Sequence, residues 1–472
     1  MKTIRQHMSE NGILIFQMVV LLFLFLKANP LVNSLLITDI LMVLIVAAGA
    51  LFFAFMFWKH KDNVFKNKLF ITLYLFVASY LVTIILNYKY AFMSNVKDVV
   101  WFVIQVATLY ISTFYLTKEK RIHNFYLLAK FYVIISGIFA ILSIPFVFLA
   151  IGGVEEYGKW GFLSQRLFGL YRSPNYGALY CVVSIFLSLG IIQKKRSDVK
   201  YKWLYIVNII ANFLYVIYSG SNTGKVVLFT SVIVWFLLEL LASKKAEVLA
   251  KKTLVYICLI VLLFNSFTPI KTVTAQIIKY TRIEQSAGGD SSTEDPDGNT
   301  EEDSEMDDTE EDTQIDFERT DYVEGEELGN GRVAHWKQAL KVYPNYALFG
   351  TTMRGYMNAV TEVFPETAAK QKVYTIENDF VSLLACTGTV GFVIFMVFMF
   401  MVLGRIVNIA FKIFRDKDKA LMSMVRVPLI LVIIVAVSAL FTDAIIFTNV
   451  VQSAVFWLSL GYFLNIDWVE NV

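Results

Sequence analysis

Charge is scarce in this sequence. Only 17% of its 472 residues are Asp, Glu, Lys or Arg, where a soluble domain carries about 25%, so a water-soluble fold of this length is excluded. Cysteine is scarcer still. Cys181, Cys258 and Cys386 all sit in apolar stretches, with no neighbour at disulfide or metal-ligand spacing. Each reads as a small apolar filler, and the redox compartment stays open. No internal repeat is visible, which counts against a transporter built from two similar halves. The first apolar run lacks a small-residue cleavage site, so we expect it to be retained as a span rather than removed as a signal peptide.

What the sequence has in abundance is hydrocarbon. Hydrophobic residues make up 57% of it and aromatic ones 15%. They come in blocks of about 17 to 25, long enough to cross a bilayer core of roughly 30 Å. The pattern predicts about twelve spans, near 13–27, 35–58, 69–87, 98–116, 125–151, 176–192, 203–219, 226–242, 253–270, 379–403, 427–446 and 450–465. A backbone in lipid must satisfy its own hydrogen bonds, so these are helices. The expected fold is therefore an all-α polytopic bundle. Residues 1–270 supply spans 1–9, residues 271–378 one large loop, and residues 379–472 spans 10–12.

Lysine and arginine crowd alternate loops, for example Lys59 to Lys68, Lys118 to Arg121, Lys194 to Lys202, Lys244 to Lys252 and Arg405 to Arg426. The positive-inside rule puts these in the cytoplasm, with both termini. Segments 152–175, 219–225 and 271–378 then lie outside the cytoplasmic membrane. The large loop divides in two. Between Glu284 and Glu327 stand 20 acidic residues and almost no aliphatic ones, and we expect residues 284–328 to be a disordered acidic insert. Residues 329–378 regain Trp336, Leu340, Tyr343, Phe349, Tyr356 and Phe364 and are expected to be ordered. A helix is predicted over Ala334 to Val342, stopped before Pro344.

Several polar residues are candidates for chemistry on the outer face. Arg166 and Arg172 flank Gly169, ahead of Pro174 and Asn175. They are either solvated residues beside a helix cap or guanidinium forks that grip phosphate. The hairpin Ser219 to Lys225 is a plain turn, or presents Lys225 to an anionic group. Arg332 and Arg354 are further phosphate candidates, and His335 is a packing residue or a substrate contact. Glu377, at the mouth of the tenth span, is a helix-end carboxylate or a general base made useful by partial burial. Gly388 and Gly391 are expected to let another helix approach closely. Among charges in or near the spans, Asp39, Lys130 and Glu239 are noted, the last two as snorkelling near the cytoplasmic ends, while Asp443 could face the same cavity as the outer loops. Outside the acidic insert no Asp/His cluster on the outer face suits a metal.

Three motifs together resemble the O-antigen ligase and O-antigen/capsular polysaccharide polymerase superfamily. They are Gly169-Leu170-Tyr171-Arg172-Ser173-Pro174-Asn175, then Arg332 with Trp336 running on to Phe349-Gly350, and then Glu377-Asn378 followed after nine residues by Gly388-x-x-Gly391. The last is similar to a His-Asn, nine residues, Gly-x-x-Gly signature of the ligases, with Glu377 where they have His. That departure favours a polymerase over a ligase. The resemblance implies metal-independent, cofactor-free transfer of glycan from an undecaprenyl-diphosphate carrier to a hydroxyl. It implies that Arg166 or Arg172, and Arg332, hold the diphosphate; joined to the residue readings above, we expect Glu377, Arg172 and Arg332 as catalytic residues, and Arg166, Asn175, Lys225, His335, Arg354 and Asn378 as substrate-binding ones. The partners implied are the lipid-linked oligosaccharide, membrane lipid, a chain-length regulator and a flippase, and no nucleic acid. A lipid-linked-sugar flippase is the rival reading from a non-enzymatic class.

Overall fold

The computed structural model describes residues 2–64, 67–156, 158–194, 201–241, 246–287, 332–365, 375–416 and 419–464. The acidic insert, from residue 288 on, lies outside them. Among the described residues ten helices are long and apolar enough to cross a bilayer, against about twelve expected; two further apolar helices, Lys202–Tyr218 and Val451–Leu464, are shorter. The fold is the all-α polytopic bundle that the apolar blocks predict.

In chain order the helices are α1 (Lys2–Ala28), α2 (Pro30–Asn33), α3 (Leu36–Val64), α4 (Lys68–Leu86), α5 (Phe92–Gln105), α6 (Lys118–Ser143), α7 (Pro145–Leu149) and α8 (Pro174–Lys194). Then come α9 (Lys202–Tyr218), α10 (Asn222–Leu241), α11 (Ala246–Ala287), α12 (Arg332–Val342), α13 (Tyr356–Val363), α14 (Asp379–Asp416), α15 (Lys419–Ser438) and α16 (Val451–Leu464). Side-chain caps start several of them. Asn67 Oδ1 accepts from Leu69 N at 2.9 Å ahead of α4, taking up one of the donors that a helix start leaves unpaired.

Polar side chains inside the bundle pair with one another, as a medium without water demands. Ser136 on α6 donates to Asn212 on α9 at 2.8 Å. Asn208 donates to Ser184 and Ser188 on α8 at 3.0 and 2.9 Å. Beyond α5 the chain runs on as a π-turn, Val106–Tyr110, and a 3₁₀ turn, Ile111–Tyr115. Gln17 on α1 donates to the Thr108 carbonyl there at 3.1 Å and accepts from Tyr462 on α16 at 3.0 Å.

Two features depart from expectation. The segment after α7 carries three short antiparallel strands, β1 (Gly152–Glu155), β2 (Gly158–Leu163) and β3 (Arg166–Gly169). Their period is hidden because glycine occupies several positions, and Gly161 and Gly169 turn at φ +73° and +61°. The ninth span also extends further than its apolar block. Pro269 lies inside α11 without ending it, and the helix continues to Ala287, since lipid helices tolerate proline where neighbours compensate.

The two ends of the bundle differ. At the end bearing the Lys/Arg-rich segments, Glu239 is held by Arg426 at 2.8 Å and Lys252 at 2.7 Å, so it is a paired structural carboxylate rather than a snorkelling one. A cavity of about 340 Å³, lined among others by Arg121, Phe125, Tyr126, Leu187 and Arg426, also opens there. The candidate residues gather at the opposite end.

Candidate functional site

The site is organised by a break in α14. Gly388 has φ +67° and ψ −177° inside an otherwise helical run. Residues 347–352 enter the gap, and their backbone pairs with it. Thr389 N donates to Ala347 O at 2.8 Å, Thr352 N to Cys386 O at 2.9 Å, and Thr351 N to Ala385 O at 3.1 Å. A Cβ at Gly388 would overlap the Leu348 carbonyl, and one at Gly350, itself at φ +73°, would overlap the Cys386 backbone. Gly388 therefore admits a re-entrant loop, not a neighbouring helix as its spacing from Gly391 had led us to expect. The loop's other side is tied to α4, through Thr83 Oγ1 donating to Phe349 O at 2.5 Å and Tyr80 OH accepting from Met353 N at 2.8 Å.

The start of α14 is fixed just as closely. Asn378 Oδ1 accepts from Phe380 N and Val381 N at 2.9 and 3.1 Å, and its Nδ2 donates to Leu440 O at 2.9 Å. Asn378 is thus a helix cap that also tethers the loop between α15 and α16. Asp379 completes the tether. It is buried, and its Oδ2 accepts from Ala444 N at 2.8 Å and Ile445 N at 2.7 Å. Its Oδ1 is buried without a hydrogen-bond partner. Glu377, just outside the cap, adopts φ +49°, a conformation costing roughly 1 to 3 kcal/mol in a non-glycine residue. Its half-exposed carboxylate meets Arg332 Nε at 2.9 Å. α12 is anchored beside it by Trp336 Nε1 donating to Ile376 O at 3.0 Å.

Asp443 lies in the same loop as Ala444 and accepts from Ser382 Oγ at 3.0 Å. Burial pushes its carboxyl up to about 6, and the charge of Glu377 acts in the same direction, against the Ser382 and Asn378 hydrogen bonds. Tyr176 on α8 donates to the Asp443 carbonyl at 3.4 Å, and its ring faces the Arg172 guanidinium 6.0 Å away. Tyr176 stands within electrostatic range of Asp443, Arg172 and Glu377 together.

The cations divide into engaged and available ones. Arg166 is buried and donates to Ser219 O and Asn175 Oδ1, both at 3.0 Å, so that the pair ties β3 to α8 and the α9–α10 hairpin. Arg354 forks onto Asp98 at 2.7 and 3.2 Å, and that partner holds its pKa above the usual guanidinium value. Lys225 lies over the Phe267 ring on α11, 5.1 Å from its centre. His335 sits on α12 one turn from Arg332. Arg172 makes no ion pair among the described residues. Neither does Lys27, a residue that sequence reasoning passed over, which lies on the last turn of α1 within electrostatic range of Arg172, Asp39, Asp98 and Arg354. Its signal was a lone lysine at the end of a span away from the basic loops.

The structure thus brings Arg172, Lys27, Arg332, Glu377 and Asn378 to one end of the bundle, adds Asp443, and sets Arg166, Asn175 and Arg354 there in supporting contacts. The O-antigen ligase family model matches residues 206–396. That stretch is about two fifths of the chain, and the match supports the O-antigen ligase and polymerase superfamily. It covers the helices from α9 to the first half of α14, and with them Arg332, Glu377, Asn378 and both glycines of the ligase-like signature. Arg172, Lys27 and Asp443 lie outside it. No curated protein matches the chain. The match, with the apolar helices, supports a multi-pass membrane protein of polysaccharide assembly.

Proposed function

We propose that the chain is a polysaccharide polymerase. It joins oligosaccharide repeat units carried on undecaprenyl diphosphate, at the end of the bundle that bears Arg172 and Glu377. That end faces away from the cytoplasm, because the basic loops gather at the other one. The observation carrying this reading is the Arg172 guanidinium, unpaired among the described residues, with Lys27 nearby, beside a cluster of carboxylates. Two cations that make no ion pair among the described residues suit a diphosphate that gains negative charge as the glycosidic bond to it breaks. The Arg332–Glu377 pair offers a donor and an acceptor to the hydroxyls of the incoming sugar. Arg166 and Asn175 hold the Arg172 turn in place, and Arg354 with Asp98 does the same for the re-entrant loop.

The test is the size distribution of surface and lipid-linked glycan in cells carrying Arg172→Ala or Glu377→Ala, at normal protein level in the membrane. A polymerase leaves single lipid-linked repeats in the Arg172→Ala strain. Long lipid-linked chains that lack their final attachment would point to a ligase, the activity named by the matching family model. A full-length ladder in both variants would sink the assignment.

A further inference from the structure

Transfer to a hydroxyl requires a group to receive its proton, and Glu377 is poorly placed to do so. One of its oxygens already accepts a charge-assisted hydrogen bond from Arg332 at 2.9 Å, and proton uptake there would break that pair. Asp443 has no cation paired to it among the described residues. Its carboxylate is held by neutral donors only, Ser382 Oγ at 3.0 Å and the Asn378 backbone N–H. The titratable and charged groups facing it are Glu377 from the turn before α14, Asp379 and Cys386 from α14, and Tyr176 from α8, whose ring faces Arg172. Asp379 fixes the Asp443 loop through the N–H groups of Ala444 and Ile445 at 2.8 and 2.7 Å, so that the loop is preorganised rather than mobile in the reaction.

We infer that Asp443, not Glu377, is the general base that takes the proton of the acceptor hydroxyl, with Asp379 as its positioning residue. This rests on the glycan-transfer reading above. The hydroxyl oxygen forms a bond to the anomeric carbon while its proton passes to an Asp443 oxygen. The bond from that carbon to the phosphate oxygen breaks, and its electron pair leaves on the diphosphate beside Arg172 and Lys27. Asp443 then gives the proton to water. A base that ionises close to the working pH combines availability with proton affinity, and the upward push on Asp443 from burial serves that purpose.

The experiment uses the full-length protein in proteoliposomes, with an undecaprenyl-diphosphate-linked repeat unit as both donor and acceptor. Rates are measured from about pH 5 to 8, across the range where a raised carboxyl ionises. Donor binding is measured separately, without turnover. The expected wild-type rate is lost as pH falls through about 6, where Asp443 becomes protonated. Asp443→Asn should lose roughly 100-fold or more in rate, with donor binding kept and no acid limb in the residue of activity. Asp443→Glu should recover part of the rate with a displaced limb. Glu377→Gln should turn over more slowly yet keep the limb. The assignment is overturned if Glu377→Gln removes the limb while Asp443→Asn retains it. It is equally overturned if Asp443→Asn loses donor binding and Asp443→Glu rescues nothing, since the residue would then be structural. Wild-type protein that binds donor but joins no repeats would overturn the polymerase reading itself, an outcome distinct from either variant's.

Discussion

At the scale of single residues, an arginine's meaning depends on what its guanidinium already holds. Arg166, Arg172, Arg332 and Arg354 look alike in sequence, yet Arg166 is spent on Ser219 and Asn175, Arg354 on Asp98 and Arg332 on Glu377. Of the four, only Arg172 has no ion pair or side-chain hydrogen bond among the described residues, which is why we propose it as the ligand's partner. Arg166→Ala should accordingly lower the thermal unfolding temperature of the detergent-solubilised protein more than it weakens donor binding. It leaves a buried carbonyl and amide without a donor, at about 1 to 3 kcal/mol. Lys27→Met keeps the apolar stem and removes the charge. Its donor affinity should fall about tenfold or more, as for loss of a hydrogen bond to a charged group, with the rate at saturation changed less. Titration of an undecaprenyl-diphosphate analogue onto both variants separates the two effects, and equal donor affinity in Lys27→Met and wild type would remove Lys27 from the site.

At the scale of elements, the ligase-like signature turns out to be a helix start and a helix break. Asn378 caps α14, and Gly388, ten residues on, opens it to residues 347–352. The spacing sets two and a half turns of helix between the site and the point where the re-entrant loop is clamped. Gly388→Ala puts a side chain at φ +67° and against the Leu348 carbonyl. The backbone conformation alone costs roughly 1 to 2 kcal/mol, and the overlap adds to it. Gly391 is helical, and a Cβ there meets the Thr387 side chain on its own helix and Ser79 Oγ at 3.5 Å. Thermal unfolding should therefore be lowered clearly by Gly388→Ala and less by Gly391→Ala. The reverse order would mean that the break does not depend on glycine.

At the scale of the whole molecule, charge is sorted to the two ends. Paired Glu239, Arg426 and Lys252 mark one end, and Arg172, Lys27 and the carboxylate cluster the other. The proposed orientation is open to a direct check. In a background with Cys181, Cys258 and Cys386 replaced, a cysteine at Lys159 should react with an impermeant maleimide in intact cells, whereas one at Arg415 should react only after lysis. Reaction of Arg415→Cys in intact cells would invert the orientation and remove the glycan-assembly face from the end we assign it.

The bundle was legible in the sequence because lipid leaves the backbone one choice. A block of some twenty apolar residues between polar loops becomes a spanning helix whatever its neighbours do. The ligase-like motif was legible for a similar reason, since a cap and a glycine break are local backbone events. What only the tertiary structure decided was the state of each charged group. Whether Glu377 is free or paired, whether Arg166 meets substrate or Ser219, and whether Asp443 faces the outer loops depend on contacts across tens to hundreds of residues. Such contacts leave no periodicity to read. Lys27 and Arg172 lie in different segments, joined where Arg172 N donates to the Ala28 carbonyl at 2.9 Å. Hydrophobicity is a property of the stretch, and electrostatic availability is a property of the neighbourhood.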